Sequence, residues 1–386
     1  MKLNKCARLV DPFSKRTHHE VINLTWLIML AQIYAKVEYI GEAAYQEKMR
    51  LQLKQLGYHF DNIEYKPIRI HSFRKWGFLN YLLHLSIVSF RDFFYWVSSP
   101  RNCDVFYNNN IYFSLLLFWL CSFFKRNKVF VLCHSELEAI HLKWNGYILY
   151  IYGFYLRFYL NMLPFNQAFH FIVLGDRMKA HISKYISQHN QKRFYSIDHP
   201  YIRPETTVKV DMSKYGGIRK IGIISVIKEG RGLNNLQTLL LKKFPDDVKL
   251  FAISKVIGEV NDPYHELVQL NNGKDFFPSD IYTAYIKEMD CIIMLYDTDG
   301  YQLTASGSIL EAIWNLKPII ALKNDYFDYL FSKFGKMGEL CESVDDMFLC
   351  IKEKSYSSDL NLTSVRTKLL PDNIVNILLF IIKSDD

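Results

Sequence analysis

A run of small residues followed by a single carboxylate is the clearest candidate site in this chain of 386 residues. The segment 304–320 is typical of a turn that opens a short helix and then leads into an apolar strand. Backbone N–H groups at a helix start have no acceptor within the helix, so the amides around Ser306, Gly307 and Ser308 could bind a phosphate. Glu311 lies a turn deeper, where it could accept hydrogen bonds from sugar hydroxyls. The pattern predicts a nucleotide diphosphate site, although helix capping explains the same residues.

A basic turn with two glycines follows the strand predicted at 220–226. Gly230 and Gly232 permit close backbone approach, and Lys228 and Arg231 supply the cations that a diphosphate requires. The turn has neither the spacing of a Walker motif nor that of a dinucleotide-binding fingerprint. We predict that Lys228 and Arg231 contact the donor and assist its chemistry, while a solvated basic turn is the alternative.

Three further residues of the second half are predicted to contact a donor. Phe277 precedes a predicted helix and could flank a nucleobase, and anchoring in the core is an equally good explanation. Asp299 and Gln302 lie in the loop just before the small-residue turn. Aspartates in such a loop could hold a divalent ion, but they are just as common in a solvated turn. We expect a sugar contact without metal.

The other side of the site is predicted from polar residues that follow strands of the first half. The acceptor-side candidates are Lys15, Arg16, His19 and Asn23. Histidine titrates near neutrality, so His18 and His134 are the candidate general bases. A polar wall residue is the alternative interpretation for either histidine.

Charge and cysteine content restrict the class of protein. Residues 1–206 carry a balance of +12 and residues 207–386 one of −4, which favours an anionic partner for the first half. Seven scattered cysteines without a C-x-x-C pair indicate a reduced, cytoplasmic protein, and no cluster has zinc spacing, so we expect no metal and no cofactor. The longest apolar run, 111–124, is shorter than the roughly 20 residues of a spanning helix. Nucleic acid is not an expected partner, because no recognition motif is present.

An aromatic and basic segment in the first half raises the question of membrane contact. Residues 147–165 are rich in tyrosine and phenylalanine around Arg157, and Trp119 and 123–126 add to them. Such residues suit a membrane interface, and buried helices in an aromatic core explain them as well. We expect a cytoplasmic protein that could bind peripherally to an anionic membrane surface.

Apolar runs of strand length alternate with helical patterns along the chain, which predicts α/β architecture with parallel sheets. The predicted strands are 6–10, 36–40, 67–71, 103–107, 129–133 and 171–174 in the first half and 220–226, 248–253, 291–296 and 318–322 in the second. The predicted helices are 20–35, 43–56, 78–97, 112–124, 147–162 and 177–188 in the first half and 234–244, 279–289, 308–316 and 344–352 in the second. We predict two doubly wound Rossmann-like domains facing across a cleft, with the ligand at the strand ends. The predicted division is 1–203 for the acceptor domain, 204–217 for a linker and 218–370 for the donor domain. The last helix, 371–386, could pack on either domain, and packing back on the N-terminal one is favoured.

These motifs together resemble the nucleotide-sugar-dependent glycosyltransferases of the GT-B fold, in particular the retaining bacterial group, family 4-like, that builds surface polysaccharides. The resemblance covers nearly the whole chain. It rests on 171–176 and 199–201 in the first domain and on 221–224 with Lys228 and Arg231 in the second. It also rests on 306–308 with Glu311, followed by Lys317-Pro318.

The resemblance implies a hexosyltransferase that moves a sugar from a nucleotide diphosphate to a glycan or lipid-linked acceptor without metal. Lys228 and Arg231 would stabilise the departing diphosphate, and Glu311 would hold the ribose. The group usually has a second acid eight residues before this glutamate, where this chain has Leu303, so the stereochemical outcome stays open. The alternatives are an epimerase or hydrolase of the same fold, or a non-catalytic subunit that binds nucleotide sugars or polysaccharide.

Overall fold

A computed structural model of the chain describes residues 2–11, 20–69, 78–108, 114–124, 127–141, 147–271, 277–297 and 300–384. The chain divides into two compact units. Unit 1 contains Met1–Pro204, Leu303–Ala305 and Leu369–Asp386, and unit 2 contains Glu205–Gln302 and Ser306–Lys368. Each unit is built on one parallel sheet, so the predicted α/β class with two Rossmann-like domains is confirmed.

Unit 1 has a seven-stranded parallel sheet in the order β3-β2-β1-β4-β5-β6-β7. Its strands are β1 Leu3–Val10, β2 Tyr34–Glu42, β3 Ile63–Ile68, β4 Cys103–Tyr107, β5 Val129–Cys133, β6 Phe169–Leu174 and β7 Phe194–Ile197. Its first helices are α1 Glu20–Ile33, α2 Ala43–Gln55, α3 Phe78–Val97, α4 Leu115–Ser122, α5 Tyr147–Met162, α6 Asp176–Ile182 and α7 Gln188–Gln191, with a 3-10 helix at Glu136–His141. The strand order reverses between β1 and β4, which opens a crevice at their carboxyl ends.

Unit 2 has a six-stranded parallel sheet in the order β10-β9-β8-β11-β12-β13, with the reversal between β8 and β11. Its strands are β8 Arg219–Ile223, β9 Val248–Ala252, β10 Leu267–Gln269, β11 Cys291–Met294, β12 Ile319–Leu322 and β13 Gly338–Cys341. Its helices are α8 Leu233–Leu240, α9 Ser279–Glu288, α10 Gly307–Trp314, α11 Asp325–Phe334, α12 Val344–Glu353 and α13 Leu362–Lys368, with 3-10 helices at Ser213–Tyr215 and Ser355–Ser357.

The last helix, α14 Pro371–Lys383, belongs to unit 1. Leu369 O accepts a hydrogen bond from Tyr201 N at 2.8 Å, and Asp372 Oδ2 accepts one from Tyr58 Oη at 2.6 Å. At the other end of the helix, Lys128 Nζ donates to Ile382 O at 2.8 Å. Contacts at both ends therefore fix α14 to the N-terminal sheet and helices.

Central strands of both sheets are buried because helices cover both of their faces, and β5, β11 and β12 are continuous apolar runs. All five residues of β4 and of β5 are buried, as are all four of β11 and β12. The carboxyl ends of these strands are held by a rigid core, so the polar residues that follow them are held in place.

Several elements differ from the sequence-based predictions. The strand predicted at 67–71 is Ile63–Ile68, so the prediction was placed too late. β7, β10 and β13 and the helices α7, α11 and α13 were not predicted. Unit 2 begins at Glu205, inside the predicted linker. The helix predicted at 177–188 ends at Ile182.

All seven cysteines are free thiols. Among the described residues, Cys6, Glu38 and Cys103 bring three possible metal ligand atoms within 4.8 Å of one another. Glu38 already accepts hydrogen bonds from Arg8 at 2.7 Å and Lys66 at 2.6 Å. A cation would have to compete with both positive groups, so we interpret this carboxylate as an ion-pair partner in the sheet.

Candidate functional site

The start of α10 provides the amides that were predicted to bind phosphate. Ser306 occupies the N-cap position with extended backbone and is 2% exposed, and Gly307 opens onto free space. The hydroxyl of Ser306 makes no capping hydrogen bond to this helix, whose residues all lie in the described part of the chain. Side-chain capping therefore does not account for the small-residue turn, and the first-turn amides remain available to an anion.

The basic turn after β8 is shaped by its two glycines. Arg231 N donates to Lys228 O at 2.9 Å, which closes the turn. Gly230 and Gly232 have φ of 67° and 84°, a region that side chains rarely adopt. A Cβ on Gly232 would lie 2.5 Å from Leu295 O, so the turn sits directly against the end of β11.

The two cations of this turn differ in their surroundings. Lys228 is exposed, as a solvated turn would predict, whereas Arg231 is half-buried. Within the described residues, Arg231 forms no ion pair with a carboxylate, and its buried Nε has no hydrogen-bond partner. A buried guanidinium donor in this state is suited to an anionic ligand.

Tyr296 links Arg231 to the start of α10. Its hydroxyl accepts from Arg231 Nη2 at 3.5 Å and donates to Ser308 Oγ at 3.0 Å. Burial alone would raise the pKa of this hydroxyl, but the charge of Arg231 and the hydrogen bond with Ser308 outweigh burial and lower the pKa. The structure thus brings Arg231 and Ser308 together through a residue that the sequence analysis did not select, although it lies at a predicted strand end.

Other predicted donor contacts are placed as follows. Glu311 is one turn inside α10 and half-buried, and Gln302 is half-buried directly before Leu303. Phe277 is half-buried against Tyr285 of α9, with ring centroids 5.1 Å apart. Asp299 lies outside the described residues.

Leu303 lies where the retaining glycosyltransferases that this chain resembles have an acid, and its side chain is fully buried. Its backbone N donates to Glu138 Oε2 at 2.8 Å, and Thr304 Oγ1 donates to the same oxygen at 2.9 Å. These residues all belong to unit 1. Position 303 therefore has a packing role.

In unit 1, polar side chains meet at the carboxyl ends of β1, β4 and β5. His134 Nε2 lies 3.1 Å from Asn108 Oδ1. Asn108 Nδ2 donates to Asn23 Oδ1, and Asn23 Nδ2 donates to Asp11 Oδ2. Asn23 and His134, predicted separately, are therefore joined through Asn108, and neither Asn108 nor Asp11 was predicted as a site residue. Lys15, Arg16, His18 and His19 lie outside the described residues.

A second titratable group lies beside His134. Glu136 Oε2 accepts from His134 N at 3.0 Å. Burial raises the pKa of Glu136 to about 7, although backbone hydrogen bonds from Glu136 and His134 oppose this effect. A carboxyl group with a raised pKa therefore lies next to the candidate base.

These observations define a protein with the fold of the GT-B glycosyltransferases, and several of the solved structures similar to it are glycosyltransferases. Anabaena HepE, solved in complex with UDP and glucose, has a TM-score of 0.63 and 14% identity over 99% of this chain and 100% of its own. The lipopolysaccharide outer core galactosyltransferase WaaB has a TM-score of 0.56 and 14% identity, covering 99% and 100% of the two chains.

The fold is not restricted to sugar transfer. A putative UDP-N-acetylglucosamine 2-epimerase from Listeria monocytogenes has a TM-score of 0.53 and 9% identity, covering 99% of this chain and 96% of its own. No family description and no curated protein sequence matches this chain. At these identities the similarity establishes the fold, and the reaction has to be argued from the site.

Proposed function

We propose that this protein is a hexosyltransferase that moves a sugar from a nucleotide diphosphate donor to a glycan or lipid-linked acceptor in surface polysaccharide or glycolipid synthesis. The observation that carries the proposal is the connection Arg231–Tyr296–Ser308 in unit 2. It combines a half-buried guanidinium with the positive end of α10. Both favour the negative charge that develops on a departing diphosphate.

Glu311 supports the nucleotide part of the proposal because it follows the phosphate-binding amides by one helical turn. In the proposed complex, its carboxylate accepts hydrogen bonds from the ribose hydroxyls while the diphosphate lies at the helix start. Phe277 lies near the base, and Asp299 and Gln302 contact the sugar. Lys228, exposed at the turn, helps to neutralise the negative charge of the diphosphate.

Calorimetry with UDP tests this arrangement. We expect Glu311→Ala, which removes the acceptor, to weaken UDP binding and to abolish the difference in affinity between UDP and its 2′,3′-dideoxy analogue. The matched control is Glu353→Ala, an equivalent change at an exposed residue of the same unit, which should bind like the unaltered protein. A Glu311→Ala variant that still prefers UDP over the dideoxy analogue would refute the ribose assignment.

Product analysis separates transfer from the two alternatives. A transferase consumes donor and forms a longer glycan or glycolipid only when acceptor is present. An epimerase or hydrolase converts the donor alone, and a binding subunit leaves it intact. Thermal-shift measurements against a panel of nucleotide sugars would select the donor first, since a ligand that binds the folded state raises its apparent stability.

We further propose that transfer needs no metal ion, because Arg231 and the amides of α10 already provide the positive groups that a metal would supply. Turnover that is unchanged after treatment with a chelator is the expected result. Activity that disappears and returns with a divalent cation would overturn this part of the proposal.

We also propose that unit 1 works at an anionic membrane surface on the cytoplasmic side. Five apolar residues exposed on one face of α3 recur at intervals of four and three: Leu83, Ile87, Phe90, Phe94 and Val97. The neighbouring helices add exposed aromatic and apolar residues: Leu120, Phe123 and Phe124 at α4, and Phe154, Tyr155, Phe158 and Met162 on α5.

Packing and charge favour a lipid surface as the occupant of this apolar face. α3 packs on α4 through Trp96 and Phe118, with ring centroids 5.4 Å apart, and Trp119 Nε1 of α4 donates to Pro164 O just after α5. The sole acidic residue in the sequence of α3, α4 and α5 is Asp92, which is buried. An apolar surface without exposed carboxylates suits anionic lipid. No described helix is both long and apolar enough to span a bilayer.

A further inference from the structure

We infer that Asp11, Asn23 and Asn108 are positioning residues that fix the tautomer of His134, with the proton on Nε2 and the basic lone pair on Nδ1. The inference rests on the proposed function in one respect, namely that His134 acts on the acceptor. The placement of the proton follows from hydrogen bonding alone and can be measured without any turnover.

Asp11 sets the direction of the three hydrogen bonds that connect it through Asn23 and Asn108 to His134. An ionised carboxylate can only accept, so the group of Asn23 that faces Asp11 Oδ2 has to be the amide Nδ2. Asn23 then presents Oδ1 to Asn108, which has to donate through its own Nδ2.

The same logic extends to the imidazole. With Nδ2 of Asn108 committed to Asn23, its Oδ1 faces His134 Nε2 at 3.1 Å. A carbonyl oxygen accepts, so Nε2 has to carry a proton. In a neutral imidazole the lone pair is then on Nδ1.

Burial fixes the orientation of the side-chain amides of Asn23 and Asn108. Asp11 is 1% exposed, and Asn23 and Asn108 are fully buried, so a reversed amide would leave two like groups facing each other without water to separate them. The backbone also restrains the chain, since Asn108 N donates to Val10 O at 3.3 Å. Asn23 Nδ2 has a second acceptor in Tyr45 Oη at 3.3 Å, which agrees with the assigned direction.

The amides of Asn23 and Asn108 cannot pass a proton along this series of hydrogen bonds while remaining amides. Asp11, Asn23 and Asn108 therefore orient His134 and do not relay protons. In the proposed reaction, Nδ1 takes the proton of the acceptor hydroxyl as the acceptor oxygen bonds to the anomeric carbon. The bond from that carbon to the diphosphate breaks, and the nucleotide diphosphate leaves with its electron pair.

The test uses ¹⁵N NMR of the histidine ring in the full-length protein, with signals assigned by their loss in His134→Gln. The unaltered protein should show the proton on Nε2. Asp11→Asn has nearly the same shape, but its amide can donate as well as accept, so the direction is no longer imposed. We expect a mixture of both tautomers, with kcat reduced in proportion to the lost Nε2–H population.

Two further variants keep the test decisive if Asp11→Asn alone perturbs the fold. The double variant Asp11→Asn/Asn108→Asp moves the carboxylate next to His134, where it accepts from Nε2, and should restore a single Nε2–H tautomer. Tyr45→Phe removes the second acceptor of Asn23 without altering the direction, and should leave the tautomer unchanged.

A proton on Nδ1 in the unaltered protein, or a tautomer that is the same in Asp11→Asn, overturns the inference. Failure of the double variant to restore Nε2–H overturns it as well. The expected tautomers without any sugar transfer would instead refute the proposed function and leave the positioning role of Asp11 in place.

Discussion

Tyr296 Oη donates a hydrogen bond to Ser308 Oγ at 3.0 Å, and this contact joins the end of β11 to the start of α10. Arg231 Nη2 donates to the same hydroxyl at 3.5 Å, and its guanidinium carbon lies 5.4 Å from the ring centroid of Tyr296. One buried tyrosine therefore holds a cation beside a helix N-terminus. Two weak sequence signals, separated by 77 positions, become a single candidate anion site in unit 2.

Replacing Arg231 tests the cation of this site. We expect Arg231→Ala to weaken UDP binding by about 10- to 100-fold, since a hydrogen bond to a charged group contributes about 1.5–3 kcal/mol. Arg231→Lys should recover part of the loss, because the ammonium keeps the charge but cannot reproduce the planar fork of donors. Calorimetry measures both.

The matched control for Arg231 is Lys243→Ala, which removes one positive charge from an exposed position of the same unit. It should bind UDP like the unaltered protein. Equal losses in the two variants would mean that overall charge, and not the position of Arg231, governs binding.

Replacing Gly232 tests how tightly the basic turn is built against β11. Gly232→Ala has to place a Cβ 2.5 Å from Leu295 O and also adopt a φ of 84°. We expect the unfolding free energy of unit 2, measured by urea denaturation, to fall by about 2–4 kcal/mol. Gly230→Ala is the control, because its φ is 67° but no atom lies within 4 Å of the added Cβ. It should lose only about 1 kcal/mol. Similar losses at both glycines would show that the contact with Leu295 is unimportant.

The raised pKa of Glu136 predicts a pH dependence of stability. Burial raises the pKa from 4.5 to about 7, so the folded protein binds this proton more tightly than the unfolded chain. The stabilisation is complete below about pH 4.5 and is lost as the pH rises to about 7. Relative to the permanently neutral Glu136→Gln, the unaltered protein should therefore become less stable over this window and change no further above it.

A second titratable group makes the comparison with Glu136→Gln necessary. Burial lowers the pKa of His199 from 6.5 to about 4, so its effect on stability has the opposite sign and is lost as the pH falls through this range. The two effects overlap in the unaltered protein. The difference between it and Glu136→Gln cancels the contribution of His199, and a difference independent of pH would contradict the prediction.

The apolar face of α3 predicts vesicle binding. Phe90 and Phe94 are 62% and 64% exposed, so Phe90→Ser/Phe94→Ser should fold normally and float poorly with vesicles containing anionic lipid. Binding by the unaltered protein should weaken with salt, since the lipid charge is screened. Phe380→Ser, at a residue 72% exposed on α14, is the control and should float normally. Undiminished flotation of the double variant would exclude this face as the surface that binds the vesicle.

The central elements of the fold were predictable because burial imposes strong patterns on them. β4, β5, α3 and α5 have the predicted bounds. The strands that were not predicted, β7, β10 and β13, are four, three and four residues long and form outer parts of the sheets. Such short segments bury few side chains, so their sequences carry little periodicity.

The candidate site was predictable only in its local parts. The turn at 306–308 and the pair of glycines around Arg231 are visible in sequence because backbone geometry demands small residues there. Tyr296 and Asn108 look like ordinary strand-end residues, and their roles come from partners 12 to 85 positions away. Long-range hydrogen bonding of this kind leaves no local pattern.

The burial of Leu303 has a consequence for any attempt to engineer this chain toward the pattern of the retaining group. A carboxylate introduced at that position would enter a dry interior, where the carboxylate of Glu138 already accepts a hydrogen bond from the backbone N–H of residue 303 itself. The added acid would be repelled and left without solvation, so it would loosen the packing instead of reaching a ligand. Restoring the missing acid thus requires a different backbone path before α10, and a single substitution cannot provide it.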